Sequence, residues 1–331
     1  MACKIIDNIF LKLKNIQEEF GNLTGEFNIY SSSKIYEIII ANMFGHNIVI
    51  GTHGADAQNY NNYYEYKHFK ESSTNHTWTF NDYSQETLDK LKTKTVFFVH
   101  INDIQHNNPF DYIDWYYEVS GDIIANYILK WAKKSGNQRK MVNISASQLE
   151  SNCKVKRIYP SKDCSNGHYS IYIKKIFECI NDLEKITKTT NLLTSNKLWE
   201  LFLANKLGHK INSKQGGIGG KHDAEDYVGR KFEYKISQRP TWTFEDVSDA
   251  VIANMRLLDG IYVSLINKRQ FATKGVFFLD TNKTMGLITR KRDAMIRKKK
   301  KENEPVKRLN VSISYAEAKR EELIIKPKIE D

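Results

Sequence analysis

Two short constellations in this chain carry residue types that could do chemistry. Asp56 is followed nine positions later by Glu65-x-Lys67, and Asp223 is followed ten positions later by Glu233-x-Lys235. Paired carboxylates are the oxygen donors that magnesium prefers, and the ion keeps several of its waters while bound to them. Phosphodiester hydrolysis needs positive charge against the phosphate, an activated water and a stabilised leaving oxygen. An Asp at the end of one strand, a Glu on its neighbour and the main-chain carbonyl beside that Glu make such a site. A Lys on the same strand face as the Glu can orient or polarise the water. The candidate metal ligands are therefore Asp56 and Glu65, and Asp223 and Glu233, with one or two Mg2+ per site; Lys67 and Lys235 complete the two catalytic sets. Glu37 and Glu200 stand on the segments ahead of each set and could add a further carboxylate, directly or through water.

One Asp…Glu-x-Lys is a common string, and an exposed Glu/Lys ladder on a strand would explain it equally well. Its recurrence in context decides the matter. Lys34-Ile-Tyr-Glu37, Ala41-Asn42-x-x-Gly45-His46, Asp56-Ala57, Glu65-Tyr66-Lys67 and Thr77-Trp78-Thr79-Phe80 appear in that order. Lys197-Leu-Trp-Glu200, Ala204-Asn205-x-x-Gly208-His209, Asp223-Ala224, Glu233-Tyr234-Lys235 and Thr241-Trp242-Thr243-Phe244 follow in the same order. Spacings that differ by only a few residues mark a tandem duplication.

The elements that must position these residues repeat as well. Ile5, Ile6, Ile9, Phe10, Leu13 and Ile16, and then Ile173, Ile176, Phe177, Ile180, Leu183 and Ile186, have the spacing of amphipathic helices. Each stripe covers its own core, pairs with the other stripe, or does both. Second helices are expected over 33–44 and 195–207, stopped by Gly45 and Gly208. Residues 62–69 and 231–236 alternate with period two, so Glu and Lys share one face and Tyr66 and Tyr234 take the other. Apolar strands are expected at 95–101 with 260–266, at 115–119 with 276–279, and at 141–145 with 309–313, where Asn143-Ile-Ser145 matches Asn310-Val-Ser312. The expected architecture is α/β (α+β): a central mixed sheet flanked by helices, built twice. The repeats are placed at 1–155 and 168–331, with a loop-forming linker at 156–167.

A net charge of +11 suits a polyanionic partner. The cluster Arg290, Lys291, Arg292, Arg297 and Lys298 to Lys301 reads as a solvated loop or tail, or as a surface laid along phosphates. No apolar run approaches the roughly 20 residues that span a bilayer, and the opening residues lack a signal-peptide pattern, so a cytoplasmic protein is expected. Cys153, Cys164, His168 and Cys179 are spaced too widely and irregularly for a zinc knuckle and read, with Cys3, as ordinary thiols.

The acid clusters and their setting resemble the PD-(D/E)XK nuclease superfamily. The stretch His222-Asp223-Ala-Glu-Asp-Tyr-Val-Gly229-Arg-Lys-Phe-Glu233-Tyr-Lys235, preceded by Lys221, is similar to the pattern of PvuII-type type II restriction endonucleases: Asp-Ala-x-Asp-x-x-Gly, three residues, then Glu-x-Lys. The resemblance covers about 195–265 and reaches 33–150 through the internal repeat. It implies a homodimeric enzyme fused into one pseudo-two-fold chain that acts as a monomer. It further implies magnesium-dependent hydrolysis by Asp223, Glu233 and Lys235, with Asp56, Glu65 and Lys67 as their partners, and a cognate DNA methyltransferase. Two departures stand out. Glu37 and Glu200 stand where those enzymes carry no acid, and Asn59 to Asn62 replace the Tyr227 to Arg230 region.

In the PvuII-like pattern the stretch after Glu-x-Lys contacts DNA. Here it holds Thr77, Trp78 and Thr79, and Thr241, Trp242 and Thr243. A Thr hydroxyl can bond a base edge and a Trp can pack on sugar or base, although Trp78, Phe80, Trp242 and Phe244 would serve equally as core. Asn143, Ser145, Asn310 and Ser312 are further candidates. His46, His53, His68, His209 and His222 read as phosphate contacts or packing. The expected function is a type II restriction endonuclease that grips double-stranded DNA in a basic cleft and cuts each strand with one site. The rivals are a structure-specific repair or recombination nuclease, and a non-catalytic DNA-binding protein on a nuclease scaffold.

Overall fold

The computed structural model of the chain describes residues 2–31, 33–50, 54–81, 83–135, 141–160, 164–212, 222–303 and 309–329. His53, Lys221 and positions 161–163 of the expected linker lie outside them. The chain divides into two compact units. One holds Glu18–Ile29 and Ser33–Glu178; the other holds Met1–Gln17, Tyr30–Ser32 and Cys179–Asp331.

The amphipathic stripe at the start folds as expected into α1 (Ala2–Thr24), burying Ile6, Ile9, Phe10, Leu13, Ile16 and Phe20. Ile5, at 46% exposure, falls off the stripe. A 23-residue helix is about 34 Å long at 1.5 Å per residue, more than one small core can cover. One unit boundary accordingly falls inside it, between Gln17 and Glu18, and another between Glu178 and Cys179, beyond the expected linker at 156–167.

The amino-terminal unit continues with α2 (Lys34–Phe44), β1 (Asn47–Ile48), β2 (Ala57–Asn59), β3 (Asn62–Lys70), β4 (Trp78–Phe80) and α3 (Gln85–Lys92). There follow β5 (Thr95–Ile101), β6 (Ile113–Ser120), α4 (Gly121–Ser135), β7 (Val142–Ile144) and the short α5 (Ala146–Gln148). Its main sheet has the order β1-β2-β3-β5-β6; β3 and β5 are parallel and the other pairs antiparallel. β5 is buried from Val96 to Ile101, which is why it reads as an unbroken apolar run and not as an alternation. A parallel pair needs a crossover, and α3 supplies it, started by a capping box between Ser84 and Thr87. The start of the expected linker is anchored here: Ile158 bridges Tyr116, and the Arg157 guanidinium lies 4.2 Å from the Trp115 ring centroid.

α6 (Ser170–Thr187) is the second amphipathic helix. It buries Ile173, Ile176, Phe177, Ile180 and Leu183, and Ile186 is exposed at its end. Within the amino-terminal unit the end of α1 meets the start of α6: the Phe20 ring lies 5.2 Å from Tyr169 and 5.4 Å from Tyr172. The front of α1 belongs to the carboxy-terminal unit, where Phe10 packs edge-on to Phe202 at 5.2 Å and against Phe271 at 6.2 Å.

The carboxy-terminal unit contains α7 (Lys197–Leu207), β8 (Lys210–Ile211), β9 (Ala224–Glu225), β10 (Lys231–Ser237), β11 (Thr241–Phe244) and α8 (Asp249–Met255). Next come β12 (Gly260–Asn267), β13 (Ala272–Leu279), α9 (Thr281–Lys301), β14 (Val311–Ser314), α10 (Tyr315–Arg320) and β15 (Ile324–Ile329). Its sheet order is β15-β13-β12-β10-β9-β8, with β10 and β12 parallel. Apart from β15, this is the order and sense of the first sheet. In both units the Glu-bearing helix ends on a glycine in the left-handed region, Gly45 at φ 69° and Gly208 at φ 70°, as its position predicts.

Two expectations need correction. The basic run from Arg290 to Lys301 is neither loop nor tail; it is the second half of α9. Asn143 and Asn310 are not equivalent. β4 pairs with β7 through Thr79 and Asn143, whereas β11 pairs with β14 through Thr243 and Ser312. The buried Val142-x-Ile144 and Val311-x-Ile313 set that register, since a shift would turn their side chains outward. Ser312 therefore matches Asn143, and Ser314 matches Ser145.

Candidate active site

Each acid cluster is assembled by the same local device. The strand before the Glu runs back antiparallel to it, which brings the Asp beside the Glu-x-Lys. In the amino-terminal unit the Asp56 backbone N–H donates to Tyr64 O at 2.9 Å, and its Oδ2 accepts from the Tyr66 N–H at 2.7 Å. In the carboxy-terminal unit Asp223 N–H donates to Phe232 O at 2.9 Å, and Oδ2 accepts from the Tyr234 N–H at 2.7 Å. The period-two alternation then places Glu and Lys together. Lys67 Nζ lies 2.8 Å from Glu65 Oε1, and Lys235 Nζ lies 2.6 Å from Glu233 Oε1. Phe80 and Phe244 floor the two ammonium groups, with centroids at 5.2 and 5.6 Å.

Glu37 and Glu200 reach these clusters from α2 and α7. Glu37 is buried and pairs with Lys34 one turn earlier at 2.5 Å; Glu200 pairs with Lys197 at 3.5 Å. The sequence already held the signal for these lysines, an i,i+3 pair. Lys94, just ahead of β5, gave no such signal. It crosses from the neighbouring parallel strand to Glu65 Oε2 at 2.9 Å and also donates to Gly54 O at 2.9 Å.

The crowding of acids shows in their proton affinities. Burial, then the Glu65 and Glu37 charges, push Asp56 up to about 7. Burial, then Glu233 and Glu200, hold Asp223 well above the usual carboxylate range. Burial also raises Glu200, against the pull of Lys197 and Lys235. Glu65 goes the other way: burial opposes its ionisation, but Lys67 and Lys94 together hold it below its ordinary value. Lys67 and Lys235 are raised despite burial, because Glu65 and Glu233 favour the ammonium form. Both lysines are therefore cations, suited to holding a water or a phosphate oxygen and not to accepting a proton.

Around the second cluster lies an open polar cavity of about 390 Å³. Glu200, Glu233 and Lys235 line it together with Thr241 and Thr243. One space thus joins the candidate catalytic residues to candidate contact residues. Thr77 and Thr79 are half-buried on β4 and the loop before it, where Thr79 Oγ1 donates to Asn143 Oδ1 at 2.8 Å. Thr243 Oγ1 and Ser312 Oγ are 2.9 Å apart. The tryptophans are a correction. Trp78 and Trp242 are 0% and 2% exposed, and their Nε1–H groups donate to Val99 O and Ser264 O, so neither ring is open to a base or sugar. Ser145 and Asn310 hold local backbone: Ser145 caps α5, and Asn310 Oδ1 accepts from the Asp246 N–H.

Among the described histidines, His46, His68 and His209 pack against rings. His46 Nδ1 and Tyr66 Oη are 2.8 Å apart, as are His209 Nδ1 and Tyr234 Oη. Burial pulls His46 and His68 down to about 4, so both are neutral near pH 7. His68 packs against Tyr36, and His222 Nε2 lies 2.8 Å from Glu225. Cys153 and Cys179 are thiols outside any disulfide. On α9, Arg290, Lys291 and Arg292 are paired with Glu321, Glu317 and Asp249 at 2.7–2.9 Å. Among the described residues no group of three or more His, Cys, Asp or Glu side chains is gathered closely enough to enclose a metal ion. No helix among them is long and apolar enough to cross a membrane.

No protein-family model matches the chain, and no curated protein sequence is significantly similar to it.

Proposed function

We propose that this chain is a duplicated PD-(D/E)XK endonuclease of the type II restriction kind, which hydrolyses both strands of duplex DNA with one magnesium-dependent site in each repeat. The observation that carries the reading is the recurrence of one carboxylate–lysine arrangement in two sheets of the same strand order. In each, the Asp is pinned by the main-chain N–H after the Glu, and the Glu–Lys pair closes to 2.6–2.8 Å.

The donor set fits the metal. Asp56 with Glu65, and Asp223 with Glu233, are hard oxygen donors, and burial followed by the neighbouring carboxylates raises the proton affinity of each Asp. These pairs would hold magnesium, which when bound supplies charge against the phosphate and a more acidic water. Glu37 and Glu200 stand behind them and would accept from waters in the loaded site. Lys67 and Lys235, as ammonium ions, fix the attacking water or a non-bridging phosphate oxygen and stabilise the added negative charge at phosphorus. The attacking water forms a new P–O bond and releases a proton to solvent, the P–O bond to the leaving sugar oxygen breaks, and that oxygen takes a proton from solvent. Thr241 and Thr243 border the same cavity, which supports reading them as contacts to the bound strand. The family resemblance adds a partner DNA methyltransferase.

Supercoiled plasmid incubated with the purified chain and magnesium tests this. Discrete linear fragments that vanish in excess chelator are expected. A magnesium-dependent smear would transfer the reading to a structure-specific nuclease. Intact plasmid at all magnesium concentrations would leave only a binding role.

A further inference from the structure

The two clusters differ at one place, and the difference bears directly on the cation. In β3 and β5, Glu65 is registered with Val96; in β10 and β12, Glu233 is registered with Ile261. Lys94 and Asp259 thus hold the same position, two residues before those partners. Lys94 reaches back to Glu65, so both oxygens of that carboxylate carry an ammonium group, Lys67 on Oε1 and Lys94 on Oε2. Lys94 is nearly enclosed, and its second bond to Gly54 O holds it in place. Asp259 turns the other way: its Oδ2 accepts from the Lys231 N–H at 2.7 Å. Among the described residues, Lys235 is the cation paired with Glu233, on Oε1.

We propose that Lys94 makes the two sites unequal, as a built-in competitor for the Glu65 oxygen that a divalent cation would take, so that the carboxy-terminal site fills first. This rests on the nuclease reading and sharpens it: the strand served by Asp223 and Glu233 is cut first, and a nicked duplex accumulates at limiting cation. Lys94 acts through Glu65 and is a positioning residue. A cation entering the amino-terminal site must first break the Lys94–Glu65 ion pair and then share the site with one more unit charge. At the effective dielectric of a partly buried site, either effect exceeds a tenfold change in affinity.

The test uses Mn2+ alone with the full chain and no DNA, free ion being counted by its electron paramagnetic resonance signal. Wild type should show two classes of site whose dissociation constants differ at least about tenfold. Asp223→Asn should remove the tight class and Asp56→Asn the weak one. Lys94→Met in the Asp223→Asn background should tighten the remaining site about tenfold or more. Circular dichroism confirms folding, and the Asp223→Asn and Asp56→Asn comparison stands without the Lys94 variant. Equal affinities in the two single variants, or no tightening by Lys94→Met, would overturn the inequality and leave the nuclease reading intact. Absence of Mn2+ binding at either site would remove the metal-dependent reading and this inference with it.

Discussion

Asp56 accepts a main-chain hydrogen bond yet shares its surroundings with Glu65 and Glu37, and burial with these charges lifts it to about 7. The linkage follows in sign. A carboxyl with a raised folded-state value holds its proton in the folded chain after the unfolded chain has lost it, so folding is disfavoured as pH rises. The window runs from the ordinary Asp range near 4 up to about 7. Thermal melts in chelator should therefore show the metal-free protein losing stability from about pH 4 to about pH 7. Asp56→Asn, which keeps the acceptor without the charge, should flatten part of that slope. A wild-type slope unchanged by Asp56→Asn would mean that Asp56 ionises freely. At this scale the sequence showed the triads and the accessory acids, because period-two alternation and one helical turn are local rules. Lys94 stayed hidden because it meets Glu65 across a parallel strand pair 29 residues away, a contact that no local periodicity encodes.

Among the elements, the two Thr-Trp-Thr-Phe strands divide their labour by alternation. Trp78 and Trp242 anchor β4 and β11 in the cores, so Trp78→Ala should cost about 3–5 kcal/mol in a denaturant melt, the usual cost of emptying a large buried site. Thr241 and Thr243 are exposed and border the carboxy-terminal cavity. Replacing both with Val should leave stability within about 0.5 kcal/mol, as surface changes do, yet weaken DNA binding in a gel-shift titration. Unchanged binding would remove β11 from the contact surface. The strand itself was legible in the alternation; its partner register was not. The repeated Asn-x-Ser string falls at Asn143 and at Asn310, but the buried Val-x-Ile pairs set the pairing and make Ser312 the counterpart of Asn143. Similarly, the basic run read as a tail because charge alone carries no helical period, whereas Thr284, Met285, Leu287 and Ile288 earlier in α9 supply the buried face that carries the helix.

At the scale of the whole molecule, motif order suggested repeats at 1–155 and 168–331, whereas the packing units part between Gln17 and Glu18. The stripe of α1 announces a buried helix, but nothing in a hydrophobic period says which core each turn joins; Phe10 packs with Phe202 and Phe20 with Tyr169. What the duplication predicts most sharply is a division of labour. On the proposed nuclease reading each site would address one scissile phosphate, so disabling one should leave a strand-specific nickase, an outcome a homodimer cannot give because one substitution removes both of its sites. DNA binding should largely persist, since phosphate contacts supply most of the affinity. The decisive measurement follows supercoiled plasmid treated with Asp56→Ala and with Asp223→Ala in magnesium, counts open-circle and linear products, and sequences the nicked strand. Open circles should accumulate with each variant, nicked in opposite strands. Linearisation at the wild-type rate by either variant, or loss of nicking in both strands by one variant that still binds DNA, would contradict two independent sites in one chain.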